Sequence, residues 1–501
     1  MNRKSVDTTM RSGGLNAIAT YPTPMGGPVP ELGARATACA DRLHDADAVL
    51  IASHIDADGL TSAAVAARAL ERAGVPFEVV FEKQLDADAI ASIAAREFDT
   101  VLFTDFGSGQ LDHIAEHEAR GAFTPVVCDH HQPADADTAF HLNPLLVGLD
   151  GSSELSGAGT TYVLARALAE HGGDAHGGTT DNRDLAGLAV VGAVGDMQAS
   201  DGELTGANQA IVAEGGAAGV VSEATDLALY GKQTRPLPKL LEYANDVRIP
   251  GISGSERGAS EFLSGLGLDL EDDDGWRRWV DLAPEERQAV ASGLVQRAVE
   301  RGVPAGRIDD LVGTTYTLSD EQPGTELRDA SEFSTLLNAT ARYDRADVGL
   351  AVCLGDRDAA LDRARRLLSN HRRNLASGLD WVKRTGVTGE EHLQWFDAGE
   401  EIRETIVGIV AGMALGADAT RSDKPIVAFA AKNDTESKVS ARGSHRLVRE
   451  GLDLSAVMGE AARALGGDGG GHDVAAGATI PADEKEGFVE RADAIVADQL
   501  G

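Results

Sequence analysis

The sequence predicts an α/β fold, with a doubly wound parallel sheet in its first two hundred residues, a mostly helical middle region and a smaller α/β unit at the C-terminus. Three observations carry that expectation. Between residues 35 and 204, short β-branched apolar runs alternate with Ala-rich stretches of helical spacing, as buried parallel strands alternate with covering helices. From 205 to 395 the pattern turns mostly helical, and from 396 to 501 helices mix with strand-like runs and a glycine cluster.

Residues 1–34, rich in Gly, Pro and Thr without periodicity, read as an irregular arm. Strands are expected at 48–53 (AVLIAS), 77–81 (FEVVF), 100–104 (TVLFT) and 125–128 (PVVC). The helix expected at 61–72 stops at Gly74, a residue suited to the left-handed position after a helix. The middle region holds LPKLLEYAN, SEFLSGLGL, PEERQAVASGLVQRAVERG and the Arg-rich RDAALDRARRLLSNHRRN, all read as helical. The last region contributes strand-like IVAFAA and SKVSARG, then the glycine cluster at 466–471.

The chain has 501 residues, 43% of them hydrophobic, which excludes intrinsic disorder and suggests two to four domains. No apolar run of about 18 residues exists to span a membrane. No apolar stretch follows the charged N-terminus, so a secretory signal is not expected and a cytoplasmic location is. Cys39, Cys128 and Cys353 lie far apart without metal-ligand spacing and read as reduced structural thiols. Eighty acidic against 45 basic residues give a net charge of −35, a balance that looks halophilic. Taken alone it argues against a nucleic-acid partner, although a local basic groove is compatible with an acidic exterior.

Chemistry collects behind the strands. His54-Ile55-Asp56-Ala57-Asp58-Gly59 follows the first, Asp105-Phe106-Gly107 the third and Asp129-His130-His131 the fourth, while Asp196 ends the apolar stretch LAGLAVVGAVGDM. Open α/β sheets place their ligand crevice at the carboxyl ends of strands. Carboxylates mixed with imidazole suit Mn²⁺ or Mg²⁺, with Zn²⁺ as an alternative, and there are enough of them for two cations. Two ions about 3.5–4 Å apart activate a water and stabilise an in-line phosphoryl displacement. Each element also has a plain structural reading, such as an Asp that only caps the next helix; the convergence on one sheet edge favours metal.

SHIDADG, TDFG, CDHH and VGDM resemble, in order and approximate spacing, the four motifs of the DHH phosphoesterase superfamily, named after the Asp129-His130-His131 triplet. KVSARG and GGDGGGH are similar to the DHH-associated domain that closes over the active site in that superfamily. The middle segments TRPLPKLLEYANDVRIPGISG and EFSTLLNATARYDRADVGLAVCLGD look most like archaeal RecJ-like single-strand exonucleases. On this resemblance the chain divides into a DHH catalytic domain (35–204), a middle region (205–395) and a DHH-associated substrate-binding domain (396–501).

The resemblance implies that His54, Asp56 and Asp105 hold one ion, that Asp58, Asp105, His130 and Asp196 hold the other, and that Asp105 bridges. It implies that Asp129 orients a ligand or completes the coordination, that His131 touches the scissile phosphate, and that the cofactor is a pair of divalent cations, Mn²⁺ before Mg²⁺. In SKVSARG the strand period puts Lys438, Ser440 and Arg442 on one face, suited to phosphate oxygens. Gly469, Gly470 and Gly471 before His472 offer backbone N–H groups to an anion.

Two further features stay open. Arg363, Arg365, Arg366, Arg372 and Arg373 read first as a solvated helix face pairing with Asp358 and Asp362, and second as a rail for a nucleic-acid backbone. Ser156-Gly157-Ala158-Gly159 opens a helix whose N–H groups suit a phosphate. The implied function is a two-metal exonuclease on single-stranded DNA or RNA. The alternatives are a small-substrate diesterase of the same superfamily, on oligoribonucleotides, cyclic dinucleotides or a nucleoside bisphosphate, and a replisome scaffold binding GINS. Polarity and the choice of DNA or RNA are not legible.

Overall fold

The computed structural model describes residues 27–171, 181–199, 202–244, 247–273, 275–415 and 420–500. The part of the expected arm before residue 27 lies outside the described residues. From Pro30 the chain is already helical, a 3₁₀ turn leading into the helix Gly33–His44, because Leu32, Ala36, Cys39, Ala40 and Leu43 recur at helical spacing and are buried.

The first sheet consists of β1 (Val49–His54), β2 (Phe77–Glu82), β3 (Thr100–Thr104), β4 (Thr124–Cys128) and β5 (His141–Leu142), in the order β2-β1-β3-β4-β5 with every neighbour parallel. Side chains alternate between its faces. Val49 and Ile51 enter the large core under the helices Gly33–His44, Ala57–Ala73 and Gly157–His171, while Leu50 and Ala52 enter the core under the helices Ala87–Ala94 and Leu111–Ala119. Helices therefore cover both faces, as a doubly wound sheet requires. The strand order reverses between β1 and β3, and that is where such sheets open a crevice. The helix Ala57–Ala73 ends at Gly74, whose φ of +73° lets its N–H close on Leu70 and Glu71.

The region 205–395 does not form one core of its own. Leu227 to Leu311 encloses a small core of its own, whereas Val221, Tyr316, Leu318 and the helix Ala330–Ala341 pack with the first core. A two-stranded antiparallel ribbon joins them, β6 (Val221–Leu227) with β9 (Val312–Leu318), and a short β7 (Glu271–Asp272) pairs with β8 (Gly275–Trp276). The helical expectation missed this ribbon because β6 reads VSEATDL, a largely exposed polar run; β9, VGTTYTL, carries the β-branched signal that could have found it.

The helix Ala359–Thr385 spans from the first core, through Leu361 and Leu368, to the C-terminal unit, through Val382. There a mixed sheet, β10 (Thr388–Gly389), β11 (Gln394–Asp397), β12 (Ile426–Ala431), β13 (Glu436–Arg442), β14 (Asp468–Gly471) and β15 (Ala475–Pro481), runs in the order β10-β11-β12-β13-β15-β14. The glycine cluster is thus an edge strand, Gly469 opposite Ala478 and Gly470 opposite Gly477. All three cysteines are buried and free, and burial pushes the Cys39 and Cys353 thiols up to about 12. No helix among the described residues is long and apolar enough to cross a membrane.

One buried polar contact fixes the helix Gly157–His171, on which the site below depends. Glu214 accepts the Tyr162 hydroxyl at 2.6 Å and the Arg166 guanidinium at 3.0–3.2 Å, with all three side chains buried. Removing one partner strands a buried charge. Glu214→Ala should therefore lower unfolding stability by about 3–5 kcal/mol, read as a fall in Tm, while Glu223→Ala on the exposed ribbon should change it little.

Candidate metal centre

His54 ends β1, and the next turn starts the helix Ala57–Ala73. Asp56 caps that helix, its Oδ1 accepting from the Gly59 N–H at 3.0 Å. The turn folds so tightly onto β1 that a Cβ on residue 59 would lie 2.1 Å from the His54 carbonyl oxygen, which only glycine allows. Asp58, in the first helical turn, is fully buried. Its Oδ2 accepts from the Gly157 N–H at 2.7 Å and its Oδ1 from the Ala158 N–H at 2.9 Å. The sequence reading gives these N–H groups to a phosphate; the structure spends them on Asp58, the nearer anion at that helix N-terminus. Gly157 must be glycine here, since a Cβ would sit 2.5 Å from Asp105 Oδ1.

Asp105 follows β3 with φ +60°, a left-handed conformation that costs a residue with a side chain about 1–2 kcal/mol. Its N–H is anchored on the Cys128 carbonyl at 3.0 Å. The strained backbone turns its carboxylate inward. Oδ2 lies 3.5 Å from His54 Nδ1 and Oδ1 lies 3.2 Å from His130 Nε2, so one buried carboxylate faces two imidazoles. On one side His54, Asp56 and Asp105 bring ligand atoms within 4.8 Å of one another; on the other, Asp58, His130 and Asp196 do the same. His54 Nδ1 is 3.1 Å from Asp56 Oδ2, and His130 Nε2 is 3.8 Å from Asp196 Oδ2 and 3.9 Å from Asp58 Oδ2.

His130 supplies the clearest sign of a cation. Its Nδ1 is 2.6 Å from the Gly151 carbonyl, a contact that holds one ring proton on Nδ1 and leaves Nε2 to take either a second proton or a metal. Nε2 is buried and makes no hydrogen bond of acceptable geometry, although Asp105 stands 3.2 Å away. A buried nitrogen lone pair surrounded by carboxylate oxygens fits a divalent cation. Sequence reasoning missed the residues that hold this arrangement. Gln198 donates to Asp196 Oδ2 and to the Gly151 carbonyl, both at 2.9 Å, and Asn208 donates to Gln198 Oε1 at 2.6 Å.

The charges of the cluster perturb one another. Burial alone would lower the His54 imidazole, but the charges and hydrogen bonds of Asp56 and Asp105 raise it to about 11. Burial is likewise overcome at His130, which Asp105 raises, and at Asp105, which the two imidazoles lower. Burial raises Asp196 to about 6 and, with the charges of Asp105 and Asp196, raises Asp58.

Asp129 is spent on other partners. Its Oδ2 accepts from the Ser108 N–H at 2.9 Å, and its Oδ1 accepts from the His130 N–H and the His131 ring, each at 2.8 Å. Burial is thereby outweighed and its carboxyl held at about 2. The same bond raises His131, whose side chain remains 57% exposed. Asp129 thus aims His131 outward.

The cations expected on the C-terminal domain converge on a cavity of about 450 Å³, where Lys438, Ser440, Arg442, Gly470 and Gly471 meet Arg342. Gly469 does not line it; a Cβ there would lie within 3 Å of Ala478 and of the Met458 and Gly477 carbonyl oxygens. His472 is exposed outside the lining. Arg342, missed by sequence reasoning, follows the helix Ala330–Ala341 and carries no spacing signal. Burial lowers it and the Asp56 charge opposes that, which places it between the two sets of residues. In the Arg-rich helix, Arg365 pairs with Glu326 at 2.5 Å, with Asp362 only at 3.8 Å.

Residues 48–193 match the DHH family N-terminal domain, 229–312 the DHH-CID domain and 393–498 the DHHA1 domain. An uncharacterized protein of Methanocaldococcus jannaschii is 29% identical over 460 residues, 90% of this chain and 94% of the relative. The fold is that of RecJ of Thermus thermophilus in complex with Mn²⁺ (TM-score 0.59, 19% identity, 95% of this chain); the chain spans 56% of that protein's length. It is also similar to an exonuclease RecJ bound to manganese (0.55, 19%, 96% of each chain) and to CDC45 of Entamoeba histolytica (0.62, 11%, 92% of this chain and 97% of that one).

Because His54 is held protonated by its carboxylates, a cation entering the centre must expel protons. Mn²⁺ affinity is expected to rise with pH between about 6 and 9, with net proton release on binding. Calorimetric titration in two buffers of different ionisation heat measures both, and an affinity independent of pH would count against His54 as a ligand.

Proposed function

The chain belongs to the DHH superfamily, and on that premise we propose that it is a metal-dependent exonuclease that removes mononucleotides from single-stranded DNA or RNA. The observation that carries this reading is the Asp105 carboxylate, whose two oxygens face separate His/Asp groups beside a cation-lined cavity in a chain of net charge −35. His54, Asp56 and Asp105 would hold one ion and Asp58, Asp105, His130 and Asp196 the other. A bound pair of Mn²⁺ or Mg²⁺ ions would supply a water of lowered pKa and neutralise charge on the scissile phosphate. His131, held by Asp129, would contact that phosphate. Arg442, Lys438 and Arg342 hold non-bridging oxygens by charge-assisted hydrogen bonds. The cavity suits a strand end.

The acidic exterior fits a saline cytoplasm, where recognition has to rest on few ion pairs because each is weakened by salt. The alternative reading as a replisome scaffold binding GINS draws on the CDC45-like fold. The full set of candidate ligands favours catalysis.

Asp105→Ala should abolish release of mononucleotides from end-labelled single strands with Mn²⁺ while circular dichroism stays unchanged; a folded variant keeping most activity would sink the two-metal reading. Arg442→Ala should weaken strand binding by about 1.5–3 kcal/mol and leave metal content intact. Metal analysis and filter binding on one preparation separate the two effects.

A further inference from the structure

A second cleft opens beside the metal centre, away from the C-terminal cavity. Its volume is about 400 Å³, and Val194, Met197, Tyr230, Lys232, Tyr316 and Asp329 line it. That is the size of a site for one small planar group. Met197 follows the candidate ligand Asp196 directly. Its backbone is held at φ +61° and its side chain is 74% exposed, the most exposed of the large apolar residues described. A left-handed, non-glycine residue that shows a thioether to solvent next to a metal ligand is costly unless something covers it.

Tyr230, which lines the cleft, is flanked by cationic and aromatic side chains that lie outside the lining. Arg372, from the Arg-rich helix, donates to the Tyr230 hydroxyl at 2.7 Å and lies 5.7 Å from the ring centroid. Arg235 stacks between Tyr230 and Tyr243, at 4.8 and 4.9 Å from their centroids. Tyr243 is itself half exposed. Neither guanidinium forms an ion pair with a carboxylate among the described residues, and each repels the other, although the chain carries 80 acidic residues to offer. At the floor, Lys232 lies 3.5 Å from Asp226, and Asp329 is occupied by the N–H groups of Ser331 and Glu332.

We propose that this cleft seats a nucleobase of a single-stranded nucleic acid, with Met197 and Tyr230 against the base and Arg235 and Arg372 on the neighbouring backbone phosphate. Base stacking on aromatic side chains tolerates any sequence, and the two guanidinium groups, each giving one donor to Tyr230, leave their other donors to a phosphate. This inference rests on the exonuclease reading and extends it: one end of the strand lies at the ions while the chain beyond is gripped on the side of the middle region. The Arg-rich helix then contributes one contact, Arg372, rather than a continuous rail.

The test is binding of a fluorescent 12-nucleotide strand to the full chain carrying Asp105→Ala, followed by anisotropy across a KCl series. Arg372→Ala and Arg235→Ala should each weaken binding at least five-fold, and Arg372→Ala should reduce the slope of log affinity against log salt by about 0.7. Arg120→Ala, an exposed arginine on the helix Leu111–Ala119 or its end, should change affinity less than two-fold. A strand carrying 4-thiothymidine should photo-cross-link to Met197 or Tyr230, a readout that needs no variant at those positions. Unchanged binding in both arginine variants, an equal loss in Arg120→Ala, or cross-links confined to the C-terminal cavity would overturn the inference and leave the cleft to another occupant. Hydrolysis of a small chromogenic phosphodiester by the unaltered chain, measured alongside, reports the metal centre by itself. Turnover with unaffected strand binding in the variants sinks the cleft alone; weakened strand binding without turnover sinks the exonuclease reading alone.

Discussion

The constraint on which the rest depends is the burial of Asp58 and Asp105 side by side at the end of a sheet in a chain already far too acidic. Each buried carboxylate costs several kcal/mol of lost hydration unless paired, and the fold answers from three directions. The N-terminus of the helix Gly157–His171 gives two N–H groups to Asp58, and the imidazoles of His54 and His130 flank Asp105. What remains is a surplus of carboxylate oxygens around His130 Nε2, which fits a cation that would take the place of the imidazole proton. The Glu214 contact that anchors the long helix, the left-handed turn at Asp105 and the Gln198–Asn208 pair all serve to keep those groups in place.

Much of this was legible in the sequence because the chemistry sits in contiguous motifs at strand ends. The four strands of the first sheet lie where the β-branched runs are, and His54, Asp56, Asp58, Asp105, His130 and Asp196 meet although they span 143 residues of chain. What was not legible depends on contacts between distant segments. Gln198 and Asn208 look like ordinary polar residues until folding brings them to Asp196, and Arg342 gains meaning only when the helix before it is packed between the two ends of the site. The Gly157 and Ala158 N–H groups had two readings, a phosphate site or ordinary helix-start chemistry, and the structure gives them to the Asp58 carboxylate. The glycine cluster was expected, from its neighbour His472 and the family resemblance, to offer N–H groups to an anion; it forms an edge strand paired with β15 against the helix Leu454–Arg463, with Gly470 and Gly471 lining the cationic cavity.

Charge is segregated rather than averaged. Carboxylates dominate the exterior, and Arg365 is neutralised there by Glu326. Two groups of cations without a carboxylate partner lie near the candidate ligands: Lys438, Arg442 and Arg342 at the C-terminal cavity, and Arg235 and Arg372 around Tyr230. Surface ion pairs contribute little to stability. On the proposed function, these guanidinium groups would be left to bind phosphate, and the acidic composition would disfavour a polyanion elsewhere.

Electron paramagnetic resonance of the Mn²⁺-loaded full chain reads out whether Asp105 would join two cations. Two Mn²⁺ per chain with an exchange-coupled spectrum are expected, replaced by the six-line signal of isolated ions in Asp105→Asn. A single uncoupled ion in the unaltered chain, or a coupled pair that survives loss of the Asp105 carboxylate, would contradict such a bridge.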